Sequence, residues 1–296
     1  MHVDSDKDVD AQPRPAVEEP QEVIDDYFRQ VSSYWEDVYA DAGVEGLIYQ
    51  ERLRRALGWI TALGLPAGAR ALELGCGAGS MTVAMAPRLG LRVHATDTVD
   101  AMLDRARKAV IDAGQADRVT FGLADAHALD LESGAFHLVV AVGVIPWLHS
   151  PSEAVAEMGR VLAPGGRLLV TSDNRLRLTY ALDPRLNRGL RPLRRAVKRS
   201  IGSSGNLTNF AAGAIDPALF RPATIRRFLL DAGLNVEREE TLGFGPLTFL
   251  GREVLPGTRG KRMHTRLQAL ADRRVPGLRW MGSHHLVLAH KSPNAR

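Results

Sequence analysis

The sequence predicts an α/β fold with a doubly wound parallel sheet, on two observations. Between residues 70 and 173, short apolar strand-like runs alternate with amphipathic stretches of 10 to 15 residues. The turns between them are short, so the helical stretches are the crossovers that parallel strands require. The strands are RALELG (70–75), RVHATD (92–97), VTFGLAD (119–125), FHLVVAVGV (136–144) and GRLLVTSD (166–173). The helices are SMTVAMAPRLG (80–90), VDAMLDRARKAVIDAG (99–114) and SEAVAEMGRVL (152–162). The pattern pauses after Asp173 and resumes at residue 216, where Pro222 leads in a helix, Gly233 stops it, and the strand NVEREETL (235–242) follows. A further irregular, basic stretch precedes a last strand, HHLVLAH (284–290).

Length and composition bound the rest. A chain of 296 residues with 45% apolar content buries a full core, as one large domain or as a domain with an added cap. It holds no run of 18 apolar residues, and its N-terminus shows neither a basic nor an apolar signal region. A cytoplasmic protein is therefore expected. The single cysteine, Cys76, excludes an internal disulfide, and no carboxylate and histidine grouping at ligand spacing argues for a metal.

Residues 1–26 carry nine acids against Lys7 and Arg14 and no aromatic residue, the composition of a disordered leader. Residues 27–66 read as a helical cap of two helices broken near Gly43 and Gly46, with Leu47, Leu53, Leu57 and Ile60 near one face of the second. A core at 67–174 is followed by a basic insertion at 175–215 and a C-terminal part at 216–296. Residues 175–199 hold nine Arg or Lys and one acid, Asp183. From Leu186, the apolar residues Leu190, Leu193, Val197 and Ile201 recur at steps of three and four. Such a basic amphipathic helix over 186–201 packs on its own domain or lies peripherally on an anionic membrane.

The chemistry concentrates at LELGCGAGS. A phosphate-binding loop needs Gly-Lys-Ser/Thr after its glycines, and here Gly79 is followed by Ser80 and Met81. A dinucleotide site spaces its glycines G-x-G-x-x-G, whereas Gly75, Gly77 and Gly79 are spaced two and two, with an acid, Glu73, two residues ahead. The stretch resembles the first motif of class I S-adenosylmethionine-dependent methyltransferases. Three more stretches fit the family in order: RVHATD, ending in Asp97 18 residues after Gly79; FGLADAHAL, with Asp125 and Ala126; and VLAPGGRLLVTS.

That resemblance implies a Rossmann-like seven-stranded sheet whose last strand is antiparallel, and S-adenosylmethionine as cofactor. It implies Glu73, Gly75, Gly77 and Gly79 beside the methionine and ribose. Asp97, with Thr98, falls at the ribose hydroxyls, Asp125 and Ala126 at the adenine, and Val142 past the fourth strand. From the cap, Tyr39, Tyr49 and Arg52 are candidate contacts, the guanidinium for the cofactor's carboxylate. Tyr34 and Trp35 are candidate lid residues.

The acceptor side departs from the family. Where many relatives carry an acid and a histidine after the fourth strand, this chain has VGVIPWLHSP. Pro146 and Trp147 make that wall apolar, which suits a hydrophobic or aromatic acceptor. The Asn/Asp-Pro-Pro-Tyr/Phe sequence that holds a flipped base is missing, which disfavours nucleic acid. His149 is the candidate general base; His127 falls near the adenine, and His284 and His285 open the last strand. More loosely, the helices before the glycine motif, the insertion, and FRPATIRRFLLDAGL after it resemble ubiquinone-biosynthesis O-methyltransferases. This implies O-methylation of a small lipophilic molecule. Two other readings stay open: an RNA or protein methyltransferase docking through the insertion, and a cofactor-binding protein without transferase activity.

Overall fold

The computed structural model describes residues 21–30, 38–39, 41–187, 190, 217–250 and 252–294. The leader up to residue 20, Tyr34 and Trp35, and most of the 186–201 stretch lie outside the described residues.

Two helices precede the sheet, α1 (Gln21–Gln30) and α2 (Val44–Ala62). The first begins inside the expected leader: Ile24 is buried, so residues 21–26 belong to the folded domain. The buried face of α2 is rotated from the expected one. Val44, Ile48, Arg52, Ala56, Trp59 and Ile60 face inward with Leu57, while Leu47 and Leu53 are half-buried.

Strands β1 (Arg70–Leu74), β2 (Arg92–Asp97), β3 (Val119–Leu123), β4 (Phe136–Ala141) and β5 (Leu162–Asn174) pair in parallel. They are connected by α3 (Ser80–Leu89), α4 (Asp100–Asp112) and α5 (Pro151–Val161). Along β4, Leu138 and Val140 enter one core cluster and Val139 and Ala141 the other, so both faces are covered. This double burial is why the strands read as continuous apolar runs.

A short helix α6 (Leu178–Leu182) lies at the start of the insertion. The chain resumes with β6 (Leu219–Phe220), α7 (Pro222–Asp231) and β7 (Leu234–Leu242), followed by a two-residue hairpin pair, β8 (Thr248–Phe249) and β9 (Arg252–Glu253). The stretch expected to be irregular contains a 15-residue helix, α8 (Thr258–Asp272). The last strand, β10 (His284–Lys291), lies antiparallel between β5 and β7. The sheet order is β3-β2-β1-β4-β5-β10-β7, and the two-residue β6, paired with β5 at Asp173 and Asn174, raises the expected seven strands to eight.

Arg55 on α2 fastens the cap to this sheet. Its guanidinium donates to Glu51, to Glu240 on β7 at 2.9 Å and to Asp272 on α8 at 2.6 Å. In an open α/β sheet ligands bind beyond the carboxyl ends of the strands, where strand order reverses. Here that point lies between β1 and β4, beneath α1 and α2.

Candidate active site

One cavity occupies that position, and residues from α1, α2 and the ends of β1, β2, β4 and β5 line it. With its open mouth counted it measures about 1310 Å³.

The turn after β1 forms its floor. Gly75, Gly77 and Gly79 all have positive φ, at 62°, 53° and 85°. A Cβ at Gly75 would come 2.6 Å from Val144, and one at Gly79 would come 3.0 Å from Ala106. Gly77 is different: it lines the cavity, and a Cβ there would meet nothing within 4 Å. The backbone is thus kept bare on the side a ligand approaches.

The Gly77 N–H donates to Asp97 Oδ2 at 2.9 Å, and the Val99 N–H donates to Oδ1 at 3.1 Å. Burial raises the Asp97 pKa, partly offset by these backbone donors. Next to it, the Thr98 hydroxyl donates to Asp25 Oδ1 at 2.8 Å, and Gln21 donates to the same oxygen at 2.9 Å. This bond ties α1 to the end of β2. Glu73 is buried against the Thr82 hydroxyl at 2.7 Å, and desolvation pushes its carboxyl up to about 8.

Beyond β3, Asp125 and Ala126 line the cavity. Asp125 Oδ1 accepts the His127 backbone N–H at 2.9 Å and faces His127 Nδ1 at 2.6 Å. Burial pushes the Asp125 carboxyl up, and these contacts outweigh it, leaving the pKa below the ordinary value.

On the β4 side, Val142, Tyr39, Tyr49 and Arg52 also line the cavity. Arg52 is 4% exposed; it donates to the Tyr39 hydroxyl at 3.2 Å and lies over the Tyr49 ring at 4.6 Å. Its Nε is buried without a partner, and among the described residues no carboxylate lies within ion-pair distance. A buried guanidinium in that state calls for an anion from the cavity. The bare Gly77 backbone, the Asp97 carboxylate and this cation together fit the hydroxyls and the carboxylate of an amino-acid nucleoside.

The structure does not bring His149 to the cavity. Its exposed ring stacks on His127, with centroids 3.7 Å apart, because the turn Ile145–Trp147 carries Trp147 and Leu148 inward and His149 outward. His284 and His285 point to opposite sides of β10, toward Asp173 and Glu239.

Sequence reasoning missed three contributors. Gln21, Ile24 and Phe28 of α1 form part of the wall; Phe28 meets Trp147 edge-on at 5.0 Å, and Tyr27 stacks on it at 5.7 Å. Gly143, after β4, sits against the Arg52 guanidinium. Asp173, at the end of β5, accepts from Arg177 at 3.1 Å and pairs with His284 Nδ1 at 3.1 Å. The apolar spacing of Ile24 and Phe28 was readable within residues 21–30 but was masked by the acids around it.

A glycine turn after β1, an acid closing β2 and a cavity at the reversal of strand order fit a Rossmann-like S-adenosylmethionine-dependent methyltransferase, the activity that the matching domain and the homologues support. Residues 72–170 match the family described as methyltransferase domain. Over 108 residues the chain is 34% identical to Methyltransferase GfsG of Streptomyces halstedii, covering 36% of this chain and 39% of that relative. Over 222 residues it is 27% identical to a ubiquinone biosynthesis O-methyltransferase of Thiobacillus denitrificans, covering 75% of this chain and 86% of the relative. The solved magnesium protoporphyrin IX methyltransferase of Synechocystis PCC 6803, with bound S-adenosylhomocysteine, superposes with a TM-score of 0.59 at 18% identity, covering 92% of this chain and all of that one. At that identity the likeness speaks for the fold. Among the described residues no helix is long and apolar enough to cross a membrane.

Proposed function

We propose that the protein transfers a methyl group to an oxygen of a small lipophilic or aromatic molecule. The observation that carries this reading is the contrast across one cavity. Its β1–β2 side is lined by the acids Glu73 and Asp97, while the side formed by Ile24, Phe28, Pro146, Trp147 and Leu148 is apolar. A planar apolar acceptor gains burial and ring contacts there that a peptide or nucleotide does not. The O-methyltransferase names among the relatives point the same way.

S-adenosylmethionine brings a methyl group already activated by its sulfonium charge, so the work left to the chain is alignment and exclusion of water. In this reading Asp97 takes the ribose hydroxyls, the Asp125–Ala126 segment the adenine, and Arg52 the carboxylate. Helix α1, fastened through Asp25 to Thr98, closes the cavity over both molecules.

The test is incubation with methyl-labelled cofactor and fractionated cell extract, followed by mass analysis. Label in a hydroxylated small molecule is the expected result. Label confined to RNA or protein, or cofactor binding with no labelled product, rejects the reading.

A further inference from the structure

We propose that Asp173 is the group on this chain that receives the acceptor's hydroxyl and takes its proton as the methyl group is transferred, with His284 and Arg177 as its positioning residues. The inference rests on the O-methylation reading above and adds a residue to it.

The polar groups of the cavity follow one another in order along the sheet. Asp125 follows β3, Asp97 ends β2, and the glycine turn follows β1. Gly143 follows β4 with Arg52 against it, and Asp173 lies near the end of β5. These strands are consecutive neighbours in the sheet, spaced ~4.8 Å apart. Asp173 is therefore three strands, ~14 Å, from the acid at the ribose position. It lies on the far side of Arg52, the cation that suits the end of the cofactor. A polar group on the cavity wall there addresses the second molecule, in the cavity that the apolar Pro146 and Trp147 also line.

The carboxylate is also held. Antiparallel pairing sets His284 directly opposite Asp173, so both side chains project from the same face of the sheet. His284 is 7% exposed with Nδ1 3.1 Å from Oδ1, while Arg177 Nη2 reaches Oδ2 at 3.1 Å. Arg52 adds a charge from α2, and the Tyr49 ring lies 5.6 Å from the His284 ring. One carboxylate oxygen carries two acceptor sites, so both oxygens retain capacity after these bonds.

The next pair along β10 is an internal contrast. His285 faces Glu239 at 3.0 Å, but on the opposite face, where Glu239 meets Arg226 of α7. That pair has the same chemistry and does not line the cavity.

The step balances. The oxygen–methyl bond forms as the sulfur–methyl bond breaks; that bond's electron pair stays on sulfur, which becomes a neutral thioether, and the hydroxyl proton passes to Asp173 and then to solvent. Burial opposes ionisation of Asp173, but the His284 and Arg177 contacts outweigh it and hold its pKa at about 2. Proton transfer to so weak a base is late within the same step, completing as the forming oxygen–methyl bond makes the hydroxyl strongly acidic.

The experiment compares the parent with Asp173→Asn, which keeps shape and removes charge. Affinity for S-adenosylhomocysteine by calorimetry is expected to stay within about twofold, while turnover of the labelled hydroxylated acceptor falls about 100-fold. A tenfold loss of S-adenosylhomocysteine affinity assigns Asp173 to the cofactor and overturns the proposal, as does turnover near that of the parent. If the parent labels no hydroxylated compound, the O-methylation reading fails and takes this one with it. If parent and Asp173→Asn label equally, this inference alone fails. Should the variant not fold, the parent's own kcat profile decides. Asp173 is ionised throughout pH 5–8, so kcat is flat there on its acid side, whereas loss of kcat below about pH 6.5 puts the proton on a histidine and rejects Asp173.

Discussion

The two halves of the cavity are built in different ways. Apart from Arg52 of α2, the donor half uses groups within five residues of strand ends: Gly75–Gly79 begins just after β1, Asp97 closes β2, and Asp125 follows β3. Backbone N–H groups lock the first two together through Gly77 and Asp97. The acceptor half is gathered from residues 21–28, 146–148, 173 and 217, segments that meet only in the folded chain. The donor half is thus specified locally and the acceptor half by tertiary packing. Substitutions in the first should be felt in cofactor affinity or in the pH behaviour of the fold, and those in the second in turnover and acceptor KM.

The largest expected effect concerns Glu73. An unfolded chain loses this proton near 4.5 and the folded one near about 8. Between those values the folded state holds a proton that the unfolded state has released, so stability falls as pH rises from 4.5 to 8 and is level outside that window. The full shift corresponds to a few kcal/mol, on the order of 1.4 per pH unit. Glu73→Gln keeps the acceptor for Thr82 and removes the titration. The urea midpoint of the variant should therefore gain on that of the parent steadily from pH 5 to 8. Parallel midpoints would place the Glu73 carboxylate in contact with water.

Asp97→Ala comes next. It removes the carboxylate that holds Gly77 and Val99 in place, and with it the proposed ribose contact. At about 1.5–3 kcal/mol for each charge-assisted bond, S-adenosylhomocysteine affinity should fall by about 100-fold, read by calorimetry, and near-parent binding would detach the cofactor from β2. Phe28→Ala tests the other half at smaller scale. Losing the edge contact with Trp147, worth ~0.5–1.5 kcal/mol, should raise the acceptor's KM about fivefold while leaving S-adenosylhomocysteine binding intact. The reverse outcome would make α1 part of the donor half.

The sequence was most informative where structure is local. Strand ends, glycine turns and the helix between Pro222 and Gly233 follow from periodicity and backbone chemistry that a short window contains. Helix α8 was unreadable for the opposite reason. Its buried positions, Gly260, His264, Gln268 and Ala271, have helical spacing but little hydrophobicity, and the other faces are basic. Gln268 and His264 are buried because they accept the N–H groups of Gly243 and Phe244, a relation over some twenty residues that no periodicity displays. In the same way α1 was hidden by its acids, although Asp25 bonds inward to Thr98. Asp173 read as the unremarkable end of a strand until β10 placed His284 beside it.

The smallest expected effect is that of His149→Ala. Position along the chain, just past β4, made His149 the candidate base, and in the structure its ring is exposed and does not line the cavity. The Ser150 N–H donates to His127 Nε2 at 3.2 Å, which makes that nitrogen an acceptor and leaves the ring proton on Nδ1, facing Asp125 at 2.6 Å. His149 lies over this fixed ring on its exposed side. Removing it costs one stacking contact at the surface, too little to shift Asp125. Turnover and S-adenosylhomocysteine affinity of His149→Ala should both stay within about twofold of the parent, since a surface contact of this kind is worth ~0.5 kcal/mol or less. A tenfold fall in kcat with unchanged affinity would mean that the Ile145–Trp147 turn reverses on ligand binding and carries His149 inward, and the acceptor half would then have to be redrawn around it.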